Sequence, residues 1–170
     1  FHYTVKDQQL TAVGGTANAN VLLNARKAVG QGFEMDLQAY IADNLLASLG
    51  VGYNDTKIKD PNLAVSVCGN GQSPPAPNCT VTDPLNGNGQ ALIDGNPLPQ
   101  APRTTLNFTL RYGFPAAGGE WYALTDWVYR SKVNFFLYEA KEFTGKPLTE
   151  GGIRVGYQWG KGQYEAAVFG

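Results

Sequence analysis

The sequence lacks any long apolar run: no window approaches about 18 consecutive apolar residues, which removes a transmembrane helix but leaves half-apolar membrane strands open. Charge is sparse, 16% of residues and nearly balanced at a net −1. No basic stretch with interleaved aromatics gives nucleic acid a footing. Histidine is confined to His2, and the two cysteines form no Cys-x-x-Cys pair. Ser48, Ser66, Ser73 and Ser131 stand outside any Gly-x-Ser-x-Gly setting, and His2 reads as a strand residue rather than a general base. Gly87-x-Gly89 lacks a third glycine and a preceding strand, so it is no nucleotide loop. No catalytic residue, metal site or cofactor follows from these residues; the chain does not read as an enzyme. It has no initiator Met and no signal sequence, and Phe1-His-Tyr-Thr-Val-Lys already looks like mid-strand, so the chain is read as starting inside a larger protein.

What is present is glycine, at 21 residues, aromatics at 12%, and a repeated period of two. Leu106, Phe108, Leu110, Tyr112 and Phe114 alternate with Asn107, Thr109, Arg111 and Gly113. After Pro115 and Gly118-Gly119, Trp121, Ala123, Thr125, Trp127 and Tyr129 alternate with Tyr122, Leu124, Asp126, Val128 and Arg130. This is the pattern of a hairpin with one apolar and one polar face. Its arms run to roughly ten residues, long for a soluble sandwich and about right for tilted strands crossing a bilayer. Residues 30–58 repeat the pattern, with Phe33, Met35, Leu37, Ala39 and Ile41, a tight Ala42-Asp43-Asn44 connection, then Leu45, Ala47, Leu49, Val51 and Tyr53. Gly50 and Gly52 on the alternate face suggest close approach or curvature. Further strands are expected over 1–12, 153–159 and from Tyr164, with turn-forming residues from Gly14 to Asn20 and a tight turn at Gly160–Gln163.

Residues 59–102 differ in kind. They hold most of the ten prolines and both cysteines, and Asp83 and Asp94 are the charges between Pro61 and Pro102. They read as a long functional or disordered loop. A second excursion, 132–152, carries Phe135-Phe136-Leu-Tyr138, read either as a ligand-contacting loop or, preferably, as an aromatic girdle at a membrane interface. Long connections after residues 10, 58 and 132 alternate with short ones near 42, 116 and 161. Outer-membrane barrels sort their loops this way, and sandwiches have no reason to. The fold expected is all-β, an antiparallel up-and-down meander of about seven strands from a larger transmembrane β-barrel.

With these residues in place, the chain resembles a known family. Asn24-Ala-Arg-Lys-Ala-Val-Gly-Gln-Gly-Phe-Glu-Met-Asp36, followed by Gly52-Tyr-Asn-Asp-Thr-Lys57, resembles the C-terminal part of the TonB-dependent outer-membrane receptors. Leu98-Pro-Gln-Ala-Pro-Arg-Thr-Thr-Leu-Asn-Phe108, Asp126-Trp-Val-Tyr-Arg-Ser131, and Gly156-Tyr157 with Tyr164-Glu-Ala-Ala-Val-Phe-Gly170 follow in family order. The resemblance spans nearly the whole chain and rests on order and spacing rather than one invariant motif. Residues 1–170 would be a partial barrel, without the plug domain and final strand, from a family barrel of about 22 strands. The resemblance implies location in the bacterial outer membrane and uptake of a scarce small molecule such as an iron chelate. The implied partners are outer-membrane lipid and, through the plug region, the TonB complex.

Within that frame Glu34, Asp36, Arg111, Asp126, Arg130 and Arg154 are candidate lumen-facing residues, either selecting a solute or, more simply, pairing with one another and with the plug. Phe114, Trp121, Trp127, Tyr129 and Trp159 are candidate membrane-interface aromatics. Cys68 and Cys79, an even pair in an exported chain, read as a disulfide stabilising the loop by roughly 2–3 kcal/mol; a metal or redox pair is the rival reading. Asn78-Cys-Thr80 and Asn107-Phe-Thr109 match the glycosylation pattern by chance in a bacterial protein. The competing classes are a soluble secreted β-sandwich that binds a glycan or protein, and a plug-less porin-type barrel.

Overall fold

The computed structural model describes residues 1–14, 19–68 and 79–170. The middle of the expected first turn (15–18) and of the Pro-rich loop (69–78, with Ser73 and Asn78) lies outside the described residues. In chain order the strands are β1 His2–Gly14, β2 Ala19–Ala42, β3 Leu45–Ile58, β4 Ala64–Val65, β5 Ala91–Leu92, β6 Thr104–Ala116, β7 Gly119–Arg130, β8 Val133–Asn134, β9 Thr144–Gly145, β10 Leu148–Trp159 and β11 Tyr164–Phe169. The long strands form one seven-stranded antiparallel sheet in the order β1-β2-β3-β6-β7-β10-β11, an up-and-down meander with β1 and β11 at its edges. β4 pairs with β5 and β8 with β9 as two small ribbons.

The short connections have identifiable chemistry. Between β6 and β7 only Ala117 and Gly118 intervene, with φ of 53° and 77°. Positive φ at both central residues is a type I′ turn, whose twist matches the flanking strands. Glycine adopts it freely, whereas Ala117 does so at a steric cost. Gly160, Lys161 and Gly162 turn β10 into β11 with φ of 62°, 58° and 84°.

The chain divides into two compact units. One comprises Glu34–Tyr53, Thr104–Ser131 and Leu148–Gly170. Its register is continuous across five strands: Leu45 faces Tyr112, Tyr112 faces Ala123, Ala123 faces Val155, and Val155 faces Val168. Directly opposed residues point to the same side of a sheet. One face therefore carries the aromatic ladder with most of the Leu, Phe and Tyr, and the other carries the Asn, Arg and Glu side chains with Leu46, Leu124, Val128 and Phe169 among them. A slip of one residue would exchange the faces, so the tight turns that set register also set the character of each side.

The other unit comprises Phe1–Phe33, Asn54–Arg103 and Lys132–Pro147. Here the described residues of the two Pro- and aromatic-rich excursions share a hydrophobic core. Ile58 and Ile93 are fully buried; Leu10, Ala25, Val65, Ala91, Leu137 and Ala140 pack in the same cluster. Hydrogen bonds tie the excursions together from residues far apart in sequence. Asn96 Nδ2 donates to Asp83 Oδ2 at 2.8 Å and to the Leu137 carbonyl at 3.0 Å. The Glu139 N–H donates to Asp83 Oδ2 at 2.6 Å, and the Gln100 N–H to the Asn134 carbonyl at 2.8 Å.

Three expectations are corrected by this unit. No long loop follows residue 10: β1 continues to Gly14 and β2 starts at Ala19, because Leu10, Ala12 and Ala25 find a core supplied by the excursions. The second excursion ends at Pro147, and β10 begins at Leu148, whose partner is Arg130. The Phe135–Tyr138 cluster is no girdle. Leu137 and Tyr138 are buried, and Phe136 packs edge-on against Phe143 with ring centroids 4.7 Å apart. Those rings are the core of the loop unit itself.

Candidate functional site

The polar face of the strand unit is ordered in rows, each row a line of opposed residues. Nearest the short turns, Pro115, Glu120, Gln158 and Glu165 form one row. Gly113, Tyr122, Gly156 and Ala167 form the next, followed by Leu46, Arg111, Leu124, Arg154 and Phe169. Arg111 and Arg154 thus stand two rows away from the carboxylates of Glu120 and Glu165, and each reaches across the middle row to make an ion pair.

Glycine in the middle row makes this crossing possible. A Cβ on Gly113 would lie 2.7 Å from Glu120 Oε1 and 3.2 Å from an Arg111 guanidinium nitrogen, so the first ion pair occupies the space a side chain would take. A Cβ on Gly156 would lie 2.6 Å from the Tyr122 ring, which rests on the bare glycine. Tyr122, 5% exposed, donates its hydroxyl hydrogen to Glu165 Oε1 at 2.8 Å. The Arg111 and Arg154 guanidiniums lie 5.1 and 6.0 Å from its ring centroid, within cation–π range. Gln158 Nε2 donates to the other Glu165 oxygen at 3.0 Å. The result is a neutral, fully partnered cluster of two cations, two anions, a phenol and an amide.

Of the predicted polar set, Arg111 and Arg154 come together in this cluster. Asp126, opposite Thr109 and Gly152, and Arg130, opposite Thr105 and Leu148, share their face farther from the short turns. Glu34 and Asp36 lie on β2, exposed, alternating with Phe33, Met35 and Leu37. Glu120, Tyr122, Gln158 and Glu165 were not singled out from the sequence. Carrying the alternation of Arg130, Asp126 and Tyr122 back to Glu120, and that of Arg154 forward to Gln158, would have found two of them.

The apolar face carries Phe114, Trp121, Trp127, Tyr129 and Trp159 in register with Leu106, Phe108 and Tyr157. Near the short turns the rings follow one another: Trp121 tilts against Tyr157 at 5.0 Å, Tyr157 stacks on Trp159 at 5.7 Å, and Trp159 stacks on Tyr164 at 5.8 Å. The Tyr157 hydroxyl donates to the Ala117 carbonyl at 2.7 Å, tying this ladder to the adjacent turn. From Trp121 to Tyr129 is eight residue steps, about 27 Å along a strand and roughly 21 Å normal to a bilayer at typical tilt. Large side chains such as Trp121, Trp127, Ile153 and Val168 stay exposed on this side. Exposed apolar side chains gathered on one face mark an interaction surface.

In the loop unit, Cys68 and Cys79 are disulfide-bonded, with Cα atoms 6.0 Å apart. Directly after Cys79, Thr80 donates its N–H and its hydroxyl hydrogen to the two Glu142 carboxylate oxygens, each at 2.8 Å. These bonds, the Thr80 N–H first among them, hold the Glu142 carboxyl below its ordinary value. Asp55, nearly buried, pairs with Arg103 and Lys57 where the two excursion ends meet. Burial pushes the Tyr138 hydroxyl above its usual range. Among the described residues no cluster of three or more His, Cys, Asp or Glu side chains could hold a metal ion. No described helix is long and apolar enough to cross a membrane, which says nothing about crossing by strands.

A family model described as TonB dependent receptor-like, beta-barrel, matches residues 1–167. No match was found among curated proteins.

Proposed function

The chain belongs to the TonB-dependent receptor family, outer-membrane transporters with β-barrel walls, and from that premise we propose that it forms part of the wall of an energised uptake receptor. The observation that carries this reading is the unbroken two-faced register of β3, β6, β7, β10 and β11. Its aromatic and aliphatic side meets lipid, with Phe114, Trp121 and Trp159 at one interface and Trp127 and Tyr129 at the other. Its polar side lines the lumen. Glu34, Asp36, Arg111, Asp126, Arg130 and Arg154 belong to that lining.

The lining has two electrostatic characters. Near the short turns, Arg111 and Arg154 are neutralised by Glu120 and Glu165, giving a wall of fixed shape and little net field. Farther along, Asp126 and Arg130 are free of ion pairs among the described residues and can engage a solute or another part of the receptor. The described residues of the loop unit, held together by their own hydrophobic core, offer a pre-folded surface that can meet the incoming solute. The solute class is a scarce chelate such as ferric iron in a small-molecule carrier, taken up through the TonB complex acting on the plug region.

The test is uptake of labelled ferric chelates by cells expressing the receptor that carries this barrel segment, with and without a working TonB complex. TonB-dependent accumulation is the expected result. Uptake that persists without TonB would refute energised transport, and absence of uptake for every ferric chelate would refute the iron reading.

A further inference from the structure

On the apolar face, beside the short turns, the ring ladder borders an open groove of about 750 Å³. That volume falls within the ~300–1,000 Å³ of small-molecule clefts. Its walls are Trp121, Tyr157 and Trp159. Its floor is low because Val155 and Ala166 sit between the rings and Gly160 and Gly118 contribute no side chain. The register explains the depth: Ala166 stands directly opposite Tyr157, so a small residue lies beside a large one in the same row.

Lys161, at the apex of the β10–β11 turn next to Gly160, is exposed and makes no ion pair among the described residues. The nearby carboxylates are spent on the opposite face, Glu120 on Arg111 and Glu165 on Arg154, Tyr122 and Gln158. An apolar trough lined by amphipathic rings, with an exposed lysine on the residue that follows its Gly160, matches one class of molecule: an acyl chain joined to an anionic headgroup. Cations placed at a membrane surface attract such headgroups, and Trp and Tyr settle at headgroup depth.

We propose that this groove is a seat for an anionic phospholipid of the bilayer, its acyl chain lying over Val155 and Ala166 and its phosphate meeting Lys161. The inference rests on the membrane-wall reading above. It adds a preference for one headgroup charge at one place on the wall, which general solvation by lipid does not produce.

The chain carrying Trp127→Phe keeps Trp121 and Trp159, both lining the groove, as its fluorescent reporters. It is reconstituted into phosphatidylcholine vesicles containing a minor fraction of brominated lipid, either brominated phosphatidylglycerol or brominated phosphatidylcholine. Brominated phosphatidylglycerol is expected to quench more strongly, by an apparent local enrichment of about fivefold. Lys161→Gln abolishes the difference by removing the charge, and Ala166→Leu abolishes it by filling the floor, while quenching by phosphatidylcholine persists in both. Equal quenching by the two lipids in the parent chain would overturn the seat and leave the membrane wall standing. Quenching lost as protein is raised at fixed lipid would assign the groove to a second copy and also overturn it. No quenching by either lipid would overturn the membrane wall and the seat together.

Discussion

Replacing Gly156 by Ala should destabilise the wall through Tyr122, and only through Tyr122. The added methyl would sit 2.6 Å from the Tyr122 ring, closer than real Cβ atoms approach. The ring cannot swing away without cost, because its hydroxyl is bonded to Glu165 and guanidiniums lie on it. Overpacking of this kind costs about 1–3 kcal/mol. Against it stands a gain of about 0.4–1 kcal/mol from restricting the unfolded chain. The net expectation is a loss of roughly 1–2 kcal/mol. In a Tyr122→Ala background the clash is gone and the gain remains, so Gly156→Ala becomes stabilising. Urea unfolding of the vesicle-reconstituted chain, followed by tryptophan emission, reads both, with stability changes appearing as midpoint shifts at constant slope. A coupling of about 1–3 kcal/mol between the sites is expected. If Gly156→Ala has the same effect in both backgrounds to within about 0.5 kcal/mol, the glycine does not exist to seat the ring.

Ala117→Asn should stabilise by up to about 1 kcal/mol in the same assay, since Asn tolerates the left-handed backbone that Ala117 holds at φ 53°, and the carbonyl accepting from Tyr157 is retained. Replacing both Cys68 and Cys79 by Ser should cost the loop unit about 2–3 kcal/mol, seen as faster proteolysis between residues 59 and 102 with the strand unit's tryptophan signal unchanged. The Glu142 clasp should open in acid. Its carboxyl is depressed from an ordinary 4.5, so its contribution is complete above that value and is lost as pH falls through the lower folded value. Hydrogen exchange at the Thr80 amide, corrected for intrinsic rate, should rise over that window and become pH-independent in Glu142→Gln; a flat profile in the parent chain would refute the clasp.

The wall was legible in the sequence because its physics is local. Period-two alternation in Leu106–Phe114 and Trp121–Tyr129 needs no knowledge of neighbours, and the glycine-bearing turns mark where strands reverse. The meander order and the common face of Arg111, Asp126, Arg130 and Arg154 follow from that alternation plus short turns. Partnerships were not legible in the same way. That Arg111 meets Glu120 and Arg154 meets Glu165 depends on the glycines Gly113 and Gly156 beside Tyr122 in the row between them, a two-dimensional property of the sheet. The loop unit was the least legible. Ile58, Ile93, Leu137 and Ala140 stand alone or in short apolar clusters between charged and turn-forming residues, with no periodicity to announce a core. Their burial arises from contacts between stretches that sequence patterns treat as separate loops.

That interleaving imposes an order of assembly. The bonds between Thr80 and Glu142 join residues 62 apart, and β6 and β7 are threaded between the two stretches they join. The loop unit cannot close until that intervening hairpin has been synthesised and both excursions are present. Closure between such distant stretches is intrinsically slow. The interval before it leaves the apolar residues of 59–102 without their partners from 132–147, and in that interval the chain is most in need of a chaperone.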